Sequence, residues 1–321
     1  MKIVIWDPIG FEDEHLAWVH EAAGDDQVVF PDGDEELIAE LADAEVFFGY
    51  HSPEIFAGAN NLKWMQTTSA GLDMMLTPEV RAMGIQVTNA SGLHAAPVVE
   101  TAWALTLAVS RYLKHFGECQ QKHVWDQFVP MDLNGRTAGV VGLGGIGRRY
   151  ARIAAAFGMR VIAVDKHTPE KPEEVEELWP LDRLNDLCAA ADVVMIACPA
   201  TSETQGLIGA EQLAAMKPTG IIVNIARGGI IDEPALIECL TEGRIAGAGL
   251  DVTKIEPLPE GDPLWDTPRL VITPHIAGWS NDRSGQVVRF FADNLVRYKN
   301  GETLHNLVDQ AHGYPVPNAA T

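Results

Sequence analysis

Short apolar runs alternate with helical patterns along almost the whole chain. In the first 90 residues the apolar runs predict five strands: Ile3–Trp6, Gln27–Phe30, Val46–Tyr50, Leu62–Gln66 and Ile85–Thr88. Helical patterns over Glu12–Ala23 and Asp34–Leu41 lie between the first three of them. Strands that alternate with helices are typical of a parallel sheet. These residues are therefore predicted to form a small α/β unit.

A long helix is predicted next, from about Ala95 to Gly117. Its apolar positions, Trp103 among them, cover much of the helix circumference instead of a single stripe. A helix of this kind is buried on more than one side. We expect it to lie between domains or against a second subunit.

The alternation resumes at residue 137 and continues to a last helix, about Asp282–Lys299. Helices near Leu181–Ala190 and over Glu233–Thr241 separate some of the apolar runs. The predicted strands are Ala138–Val141, Val161–Val164, Asp192–Ala197, Gly220–Ala226, Ile245–Val252 and Leu270–Thr273. They are predicted to form a doubly wound sheet whose loops share one edge.

The first turn of this second region carries a glycine pattern, Gly142, Gly144, Gly145, Ile146 and Gly147, between a strand and a helix. The next strand ends on Asp165, 18 residues after Gly147. Strand, glycine turn, helix, strand and acid together are the signature of a dinucleotide-binding unit. The helix N-terminus offers N–H groups to the pyrophosphate, and the carboxylate can accept hydrogen bonds from the adenosine ribose.

The predicted fold class is therefore α/β, with two doubly wound parallel-sheet domains. A Rossmann dinucleotide-binding domain, residues 95–285, is inserted into a flavodoxin-like substrate domain, residues 1–94 plus 286–321. Two chain crossings between the domains predict a hinge and a cleft.

Composition excludes several other classes. Apolar residues make up 47% and charged residues 21% of the 321 residues, which is normal for a globular protein. The net charge of −22 predicts that nucleic acid and anionic membranes are repelled, although it could also reflect adaptation to salt. An anionic substrate would need a local cationic group, which makes arginines at strand ends informative.

Cellular location and metal content follow from smaller signals. No apolar run is long enough for a membrane span, and the N-terminus predicts a strand, not a signal peptide. The four cysteines show no metal-ligand spacing, so no metal site is expected. We expect a reduced cytoplasmic protein.

Three polar residues on the predicted loop edge are candidates for chemistry. Arg227 directly follows a strand and could bind a carboxylate in bidentate fashion. His275 directly follows the last predicted strand and could transfer a proton near neutral pH. Glu256, in a loop with prolines, could fix the tautomer of His275 and favour its protonated form. Each alone could be an ion-pair or surface residue, and their common edge favours a shared site.

Several segments together resemble the D-isomer-specific 2-hydroxyacid dehydrogenase family. The resemblance covers nearly the whole chain and rests on an ordered set of segments. They are GLGGIG at 142–147, NIARGGIID at 224–232, GAGLDV at 247–252, EPLPEGDPLW at 256–265 and TPHIAG at 273–278.

The resemblance implies roles for individual residues. Arg227 would bind and polarise the substrate, and His275 would be the acid/base group with Glu256 as its partner. Asp251 would meet the nicotinamide carboxamide, and the loop 198–204 would run under the pyrophosphate. Further cofactor-binding positions are Cys198, Pro199, Thr204, Ile225, Ala226 and Gly278. Ser69, Ala70 and Gly71 would bind the substrate carboxylate, and Tyr50, His51 and Trp279 are candidates for the far wall of the cleft.

The predicted function is hydride transfer between a nicotinamide cofactor and a 2-oxo acid or D-2-hydroxy acid, of the glyoxylate/hydroxypyruvate type or broader. Because Asp165 would repel a 2′-phosphate, NADH is expected to be preferred, with NADPH possible. The resemblance also implies a homodimer. Glu256 disfavours a formate dehydrogenase, in which glutamine is found at that position, and the end of the sequence at residue 321 argues against the long phosphoglycerate dehydrogenases. An NAD-dependent corepressor-like binding protein and a phosphite dehydrogenase remain as alternatives.

Overall fold

The computed structural model describes residues 1–6, 11–167 and 170–315, and the chain divides into two compact units. Unit 1 comprises residues 1–94 and 280–321, and unit 2 comprises residues 95–279. The division at 279–280 keeps the last helix whole in unit 1, whereas the predicted boundary at 285–286 falls inside that helix.

Unit 1 is built on a parallel sheet of five strands in the order β2-β1-β3-β4-β5. The strands are β1 Lys2–Ile5, β2 Gln27–Val29, β3 Val46–Phe48, β4 Trp64–Gln66 and β5 Gln86–Thr88. The helices between them are α1 Asp13–Ala23, α2 Asp34–Leu41 and α3 Pro78–Ala82, with a 3₁₀ turn at Pro53–Gly58. This strand order is the doubly wound, flavodoxin-like order that the sequence predicted.

Unit 2 contains a parallel sheet of seven strands in the order β12-β11-β10-β9-β6-β7-β8. The strands are β6 Thr137–Val141, β7 Arg160–Val164, β8 Glu177–Trp179, β9 Val193–Ile196, β10 Ile221–Asn224, β11 Gly247–Leu250 and β12 Leu270–Ile272. The helices are α4 Ala95–Ser110, α5 Leu113–Gln121, α6 Gly145–Ala156, α7 Leu184–Ala190, α8 Ala210–Ala215 and α9 Glu233–Thr241. Shorter 3₁₀ turns lie at Leu181–Arg183, Gly228–Ile230 and Pro263–Asp266.

The last helix, α10 Arg283–Lys299, belongs to unit 1 and packs beside α1. Its Phe291 ring stacks on Phe48 with ring centroids 4.3 Å apart, and Trp64 packs against the same ring at 5.4 Å. All three side chains are fully buried. The distant end of the chain therefore completes the core of the first sheet, which explains why α10 is amphipathic.

The single helix predicted over 95–117 is wrong, because the helix ends at Ser110 and a second one begins at Leu113. Tyr112 lies between them with a left-handed φ of 56°, which an α-helix cannot contain. The broad apolar surface of α4 is also explained within unit 2. Trp103 is only 5% exposed and stacks on Tyr150 and Phe157, with centroid distances of 4.5 and 4.7 Å.

Other differences from the sequence prediction are small. The edge strand β8 was not predicted, because its three residues follow an acidic stretch with no sustained alternation. The predicted fold class is confirmed: both sheets are parallel and doubly wound. Within the described residues, no helix combines the length and the apolar character that crossing a membrane requires.

Candidate active site

The glycine turn joins β6 to α6 and is built from glycines with two different tasks. Gly142 has a φ of 94°, and a Cβ there would lie 2.8 Å from the backbone of Cys198. A Cβ on Gly147 would lie 2.1 Å from the carbonyl oxygen of Gly142. Gly144 and Gly145 are exposed, and a Cβ on either would meet nothing within 4 Å among the described residues. Packing thus requires glycine at positions 142 and 147. Gly144 and Gly145 instead leave a shallow cradle at the start of α6 that a pyrophosphate could fill.

Asp165 lies at the end of β7, directly beside this turn. One carboxylate oxygen accepts a hydrogen bond of 2.7 Å from the Leu143 N–H, and the other accepts one of 2.8 Å from the His167 N–H. The carboxylate is therefore held at the rim of the cradle, where a ribose bound beyond the pyrophosphate would approach it. These residues fit a dinucleotide.

The loop after β9 faces the glycine turn through Cys198. This side chain is 9% exposed, and burial raises the pKa of its thiol to about 12, with the charge of Asp165 adding to the rise. The thiol therefore stays neutral and acts by packing. Further along the loop, the hydroxyl of Thr204 donates to the carbonyl oxygen of Pro199 at 2.7 Å and accepts from the Thr201 N–H at 2.8 Å.

Arg227 sits on the loop after β10, where a buried asparagine shapes the turn. The amide of Asn224 donates to the carbonyl oxygen of Arg227 at 2.9 Å, and its side-chain oxygen accepts from the Ala226 N–H at 3.0 Å. The next residue, Gly228, leaves no room for a side chain, because a Cβ there would lie 2.0 Å from the carbonyl carbon of Thr253. The Arg227 loop is thus packed directly onto the loop that leads to Glu256.

His275 lies on a tight turn after β12 that a buried carboxylate holds. Asp251 is 1% exposed, and its side chain accepts hydrogen bonds from the Thr273 hydroxyl at 2.6 Å, the Ile276 N–H at 3.1 Å and the Ala277 N–H at 3.0 Å. The His275 N–H donates to the carbonyl oxygen of Asp251 at 2.7 Å. His275 itself has a left-handed φ of 52°, a conformation that is uncommon for residues other than glycine and recurs at functional sites.

The Glu256 carboxylate links its own loop, which follows β11, to the turn that carries His275. One of its oxygens lies 2.5 Å from Nδ1 of His275, and the other accepts a hydrogen bond of 2.9 Å from the Thr253 N–H. The two side chains are 35% and 43% exposed. Since the carboxylate occupies Nδ1, the opposite ring nitrogen, Nε2, is the one that can face a substrate.

A second acidic side chain supports this arrangement. Glu233, at the start of α9, accepts a hydrogen bond of 2.5 Å from the Lys254 N–H. Burial raises the pKa of Glu233, and the charges of Asp262 and Glu256 add to the rise. The sequence prediction gave no role to Glu233 or to Asn224. Asn224 could have been recognised as a polar residue ending an apolar strand two residues before a turn.

The remaining predicted substrate residues lie partly in unit 1 and partly in unit 2. In unit 1 the carbonyl oxygens of Ser69 and Ala70 accept hydrogen bonds from the side chains of Thr67 and Asn89, at 2.8 and 2.7 Å. Tyr50 is 37% exposed, whereas both ring nitrogens of the neighbouring His51 are in contact, with Asp34 at 3.1 Å and with the Ser52 N–H at 2.8 Å. In unit 2 Trp279 is 65% exposed and follows the His275 turn. Gly71 and Gly278 adjoin these segments, and their predicted contacts stay predictions.

All these loops of unit 2 follow the carboxyl ends of parallel strands, so they lie at one edge of the seven-stranded sheet. A glycine cradle with an acid at its rim is typical of a dinucleotide-binding domain, and the carboxylate–histidine pair at the same edge could transfer a proton.

Comparison with known proteins also indicates a dinucleotide-binding domain. The profile of the D-isomer specific 2-hydroxyacid dehydrogenase NAD binding domain matches residues 103–277. The glyoxylate reductase of Korarchaeum cryptofilum is 37% identical over 265 residues, which cover 80% of this chain and 79% of that protein.

Solved structures extend the likeness to both units. A D-isomer specific 2-hydroxyacid dehydrogenase family protein from Aeromonas salmonicida is similar, with a TM-score of 0.84 and 29% identity over 96% of this chain and 99% of that one. The NADPH-dependent glyoxylate/hydroxypyruvate reductase of Sinorhizobium meliloti, in complex with NADP and sulfate, gives a TM-score of 0.85 and 25% identity over 98% of this chain and 100% of that one.

The chain belongs to the D-isomer specific 2-hydroxyacid dehydrogenase family. The family and these relatives indicate an oxidoreductase of the 2-hydroxyacid dehydrogenase class that uses a nicotinamide cofactor.

Proposed function

We propose that this protein reduces 2-oxo acids to D-2-hydroxy acids with NADH, and that His275, Glu256 and Arg227 carry out the chemistry. The observation that carries the proposal is the 2.5 Å contact between Glu256 and Nδ1 of His275, at the same sheet edge as the glycine cradle. A carboxylate in that position orients the ring and stabilises its protonated form.

When bound, the nicotinamide supplies a hydride to C2 of the 2-oxo acid. His275 then donates the Nε2 proton to the substrate oxygen and becomes a neutral imidazole beside Glu256. Arg227 binds the substrate carboxylate and polarises the 2-oxo group through its guanidinium N–H donors. In the reverse direction a neutral His275 accepts the hydroxyl proton, so one residue serves both directions with opposite protonation states.

The substrate class is proposed to be 2-oxo acids of the glyoxylate and hydroxypyruvate type, or broader. Support comes from the Korarchaeum cryptofilum and Sinorhizobium meliloti relatives, whose names state these activities. The test is a steady-state screen of glyoxylate, hydroxypyruvate, pyruvate and larger 2-oxo acids, with chiral chromatography of the products. Turnover with D products is expected. No turnover with any of them, or L products, would contradict the proposal.

Trp279 is proposed to limit the size of the substrate, because its exposed ring follows the His275 turn. Trp279→Ala should raise kcat/KM for bulky 2-oxo acids relative to glyoxylate. An unchanged ratio would remove Trp279 from the pocket.

The preference for NADH is proposed from the surroundings of Asp165. Its carboxylate stands at the rim of the cradle and would repel a 2′-phosphate. The neighbouring Lys166 forms an ion pair with Glu203, so its charge is already partly balanced. Asp165→Ala should narrow the ratio of kcat/KM for NADH over NADPH. Equal or better use of NADPH by the unaltered protein would contradict the preference, and the NADPH-dependent relative from Sinorhizobium meliloti makes this a sharp test.

A homodimer is also proposed, on grounds that differ from those in the sequence. Trp103 cannot be the reason, since it is buried within unit 2. The segment after α5 instead exposes large apolar side chains: Val124, Trp125, Phe128 and Val129, at 53, 89, 40 and 93%. Exposed apolar patches of this kind mark interaction surfaces. Light scattering should give twice the 34.9 kDa chain mass, and a monomer at micromolar concentration would contradict the proposal.

A further inference from the structure

A cluster of three metal-ligating side chains lies away from the candidate active site, on α5 and the segment that follows it. Among the described residues, the Nε2 atom of His115, the thiol of Cys119 and a carboxylate oxygen of Asp126 all lie within 4.8 Å of one another. Nε2 of His115 lies 2.8 Å from Oδ2 of Asp126 and 3.4 Å from Sγ of Cys119.

The backbone explains how these three residues meet. His115 and Cys119 are four residues apart on α5, so they share one helix face. The helix then ends, and His123 adopts a left-handed φ of 56° that turns the chain back. The Val124 N–H donates to the carbonyl oxygen of Cys119 at 2.9 Å, which brings the following residues, including Asp126, beside the helix.

Aromatic packing fixes the imidazole at the centre of the cluster. The His115 ring lies 5.4 Å from the Phe128 ring and 5.5 Å from the Phe116 ring, centroid to centroid. Phe128 in turn stacks on Phe116 at 5.1 Å and meets Tyr112 edge-on at 4.8 Å. The ligand that links the other two is therefore held before any metal binds.

The geometry distinguishes a metal site from a reactive-cysteine arrangement. In a thiol–imidazole–carboxylate relay the thiol and the carboxylate contact opposite ring nitrogens. Here both approach the same nitrogen, Nε2, so the thiol and the carboxylate lie on the same side of the ring and all three donor atoms are neighbours. Bond lengths of about 2.0–2.3 Å in a tetrahedral zinc site imply donor atoms about 3.3–3.6 Å apart. His115 and Asp126 would separate by about half an ångström, and the Cys119 and Asp126 atoms, which lie within 4.8 Å of each other, would approach by up to about 1.3 Å.

We propose that His115, Cys119 and Asp126 bind one zinc-class divalent cation per chain, which fastens the segment 122–131 to α5. The thiol of Cys119 gives up its proton to become a thiolate ligand, and the imidazole binds as the neutral form. Imidazole, thiolate and carboxylate together favour zinc over magnesium or calcium, which take oxygen ligands. A fourth position stays open, as in three-ligand zinc sites that hold a water molecule. The net charge of −22 favours uptake of a cation.

The test titrates tag-free, metal-stripped full-length protein with Zn²⁺ against a chromophoric chelator. One zinc per chain is expected, and Cys119→Ser, His115→Asn and Asp126→Asn should each weaken the affinity at least about tenfold. Two matched controls remove the same groups nearby: His123→Asn an imidazole and Glu118→Gln a carboxylate. Both should bind zinc as the parent does. Equal affinity in the parent and the three site variants, or less than one zinc per chain, would overturn the proposal.

Two further measurements do not depend on how the variants fold. Co²⁺ added to the parent should give the charge-transfer absorption of a thiolate–cobalt bond, and its absence would overturn the assignment of Cys119. Amide hydrogen exchange in residues 122–131 should slow when Zn²⁺ is added to the parent. Unchanged exchange would overturn the fastening role. Neither readout involves turnover, so the result is independent of the proposed reductase activity.

Discussion

The glycine turn and the His275 turn follow strands of the same parallel sheet, yet they are held by opposite means. The glycine turn requires residues without a side chain, because a Cβ on Gly147 would lie 2.1 Å from the Gly142 carbonyl oxygen. The His275 turn requires a particular side chain, because the buried Asp251 carboxylate accepts three hydrogen bonds from residues 273–277. Substitutions that add atoms should therefore damage the first turn, and substitutions that remove them should damage the second.

This difference also separates binding from chemistry. The cradle at Gly144 offers backbone to a pyrophosphate and no reactive side chain. The His275 turn presents an imidazole and its carboxylate partner. Cofactor binding and proton transfer should therefore be separable by substitution at one turn or the other.

The largest expected effect follows from removing the imidazole. His275→Asn keeps a residue that tolerates the left-handed φ of 52° but abolishes proton transfer. We expect kcat to fall by about 10³ in both reaction directions. The NADH dissociation constant, measured by fluorescence titration, should change little. A comparable loss of NADH binding would mean that His275 is structural and that the two turns are not separate in function.

Two alanine substitutions in the glycine turn should give contrasting results. Gly147→Ala forces a Cβ against a backbone oxygen and should lower the free energy of unfolding by about 3 kcal/mol. Gly144→Ala has open space and an extended backbone, so the free energy of unfolding should stay close to that of the parent. NADH binding should nevertheless weaken about tenfold, because the methyl group occupies the cradle. Chemical denaturation and NADH titration measure the two quantities.

The reverse pattern would break the comparison. If Gly144→Ala bound NADH as tightly as the parent, the cradle would not be the pyrophosphate site. If Gly147→Ala were as stable as the parent, the close approach in the turn would not constrain the sequence.

The smallest effect concerns a turn in unit 1 that a buried histidine holds. His94 lies 3.4 Å from the carbonyl oxygen of Thr68, and burial, together with the nearby charge of Arg283, lowers its pKa below the usual 6.5. In the unfolded chain His94 therefore binds a proton near pH 6.5, whereas in the folded chain it stays neutral to lower pH. The contribution of neutral His94 to the free energy of unfolding is complete above pH 6.5, and it is lost as the pH drops toward the folded-state pKa.

His94→Gln keeps a hydrogen-bond donor for Thr68 and removes the titration. The melting temperature of this variant should decline less steeply between pH 7 and pH 5 than that of the parent. His20→Gln, at an exposed histidine of the same unit, serves as the control. Parallel declines in the parent and His94→Gln would show that His94 does not contribute to acid sensitivity.

The sequence predicted the glycine turn well because that turn is local: four glycines, a strand and a helix lie within 25 residues. The His275 turn was harder, since its supports come from residues 19 to 26 positions away, as in the Glu256–His275 and Asp251–Ala277 contacts. Those contacts depend on the pairing of β11 with β12, which spacing alone does not give.

One wrong prediction has an equally physical cause. The helix predicted over 95–117 is wrong because apolar periodicity does not register the left-handed residue at Tyr112. The expectation of no metal site came from cysteine spacing alone and stays a prediction, which the zinc proposal challenges. The cluster on α5 instead combines one cysteine with a histidine four residues earlier and an aspartate beyond a turn. The His115–Cys119 spacing was a signal, but Asp126 joins only through the reversal at His123.

The central claim is that Glu256 controls the protonation of His275, and Glu256→Gln tests it most directly. Glutamine keeps the shape and removes the charge 2.5 Å from Nδ1, so the protonated imidazole loses its stabilising partner. Reduction of a 2-oxo acid should then fall away at lower pH than in the parent, with activity partly recovered in mild acid. Oxidation of the hydroxy acid, which needs neutral His275, should extend to lower pH. Glu260→Gln, an exposed carboxylate in the same loop, should leave both profiles in place. If both profiles of Glu256→Gln coincided with those of the parent, Glu256 would not be the partner of His275 and the proposed acid/base unit would be wrong.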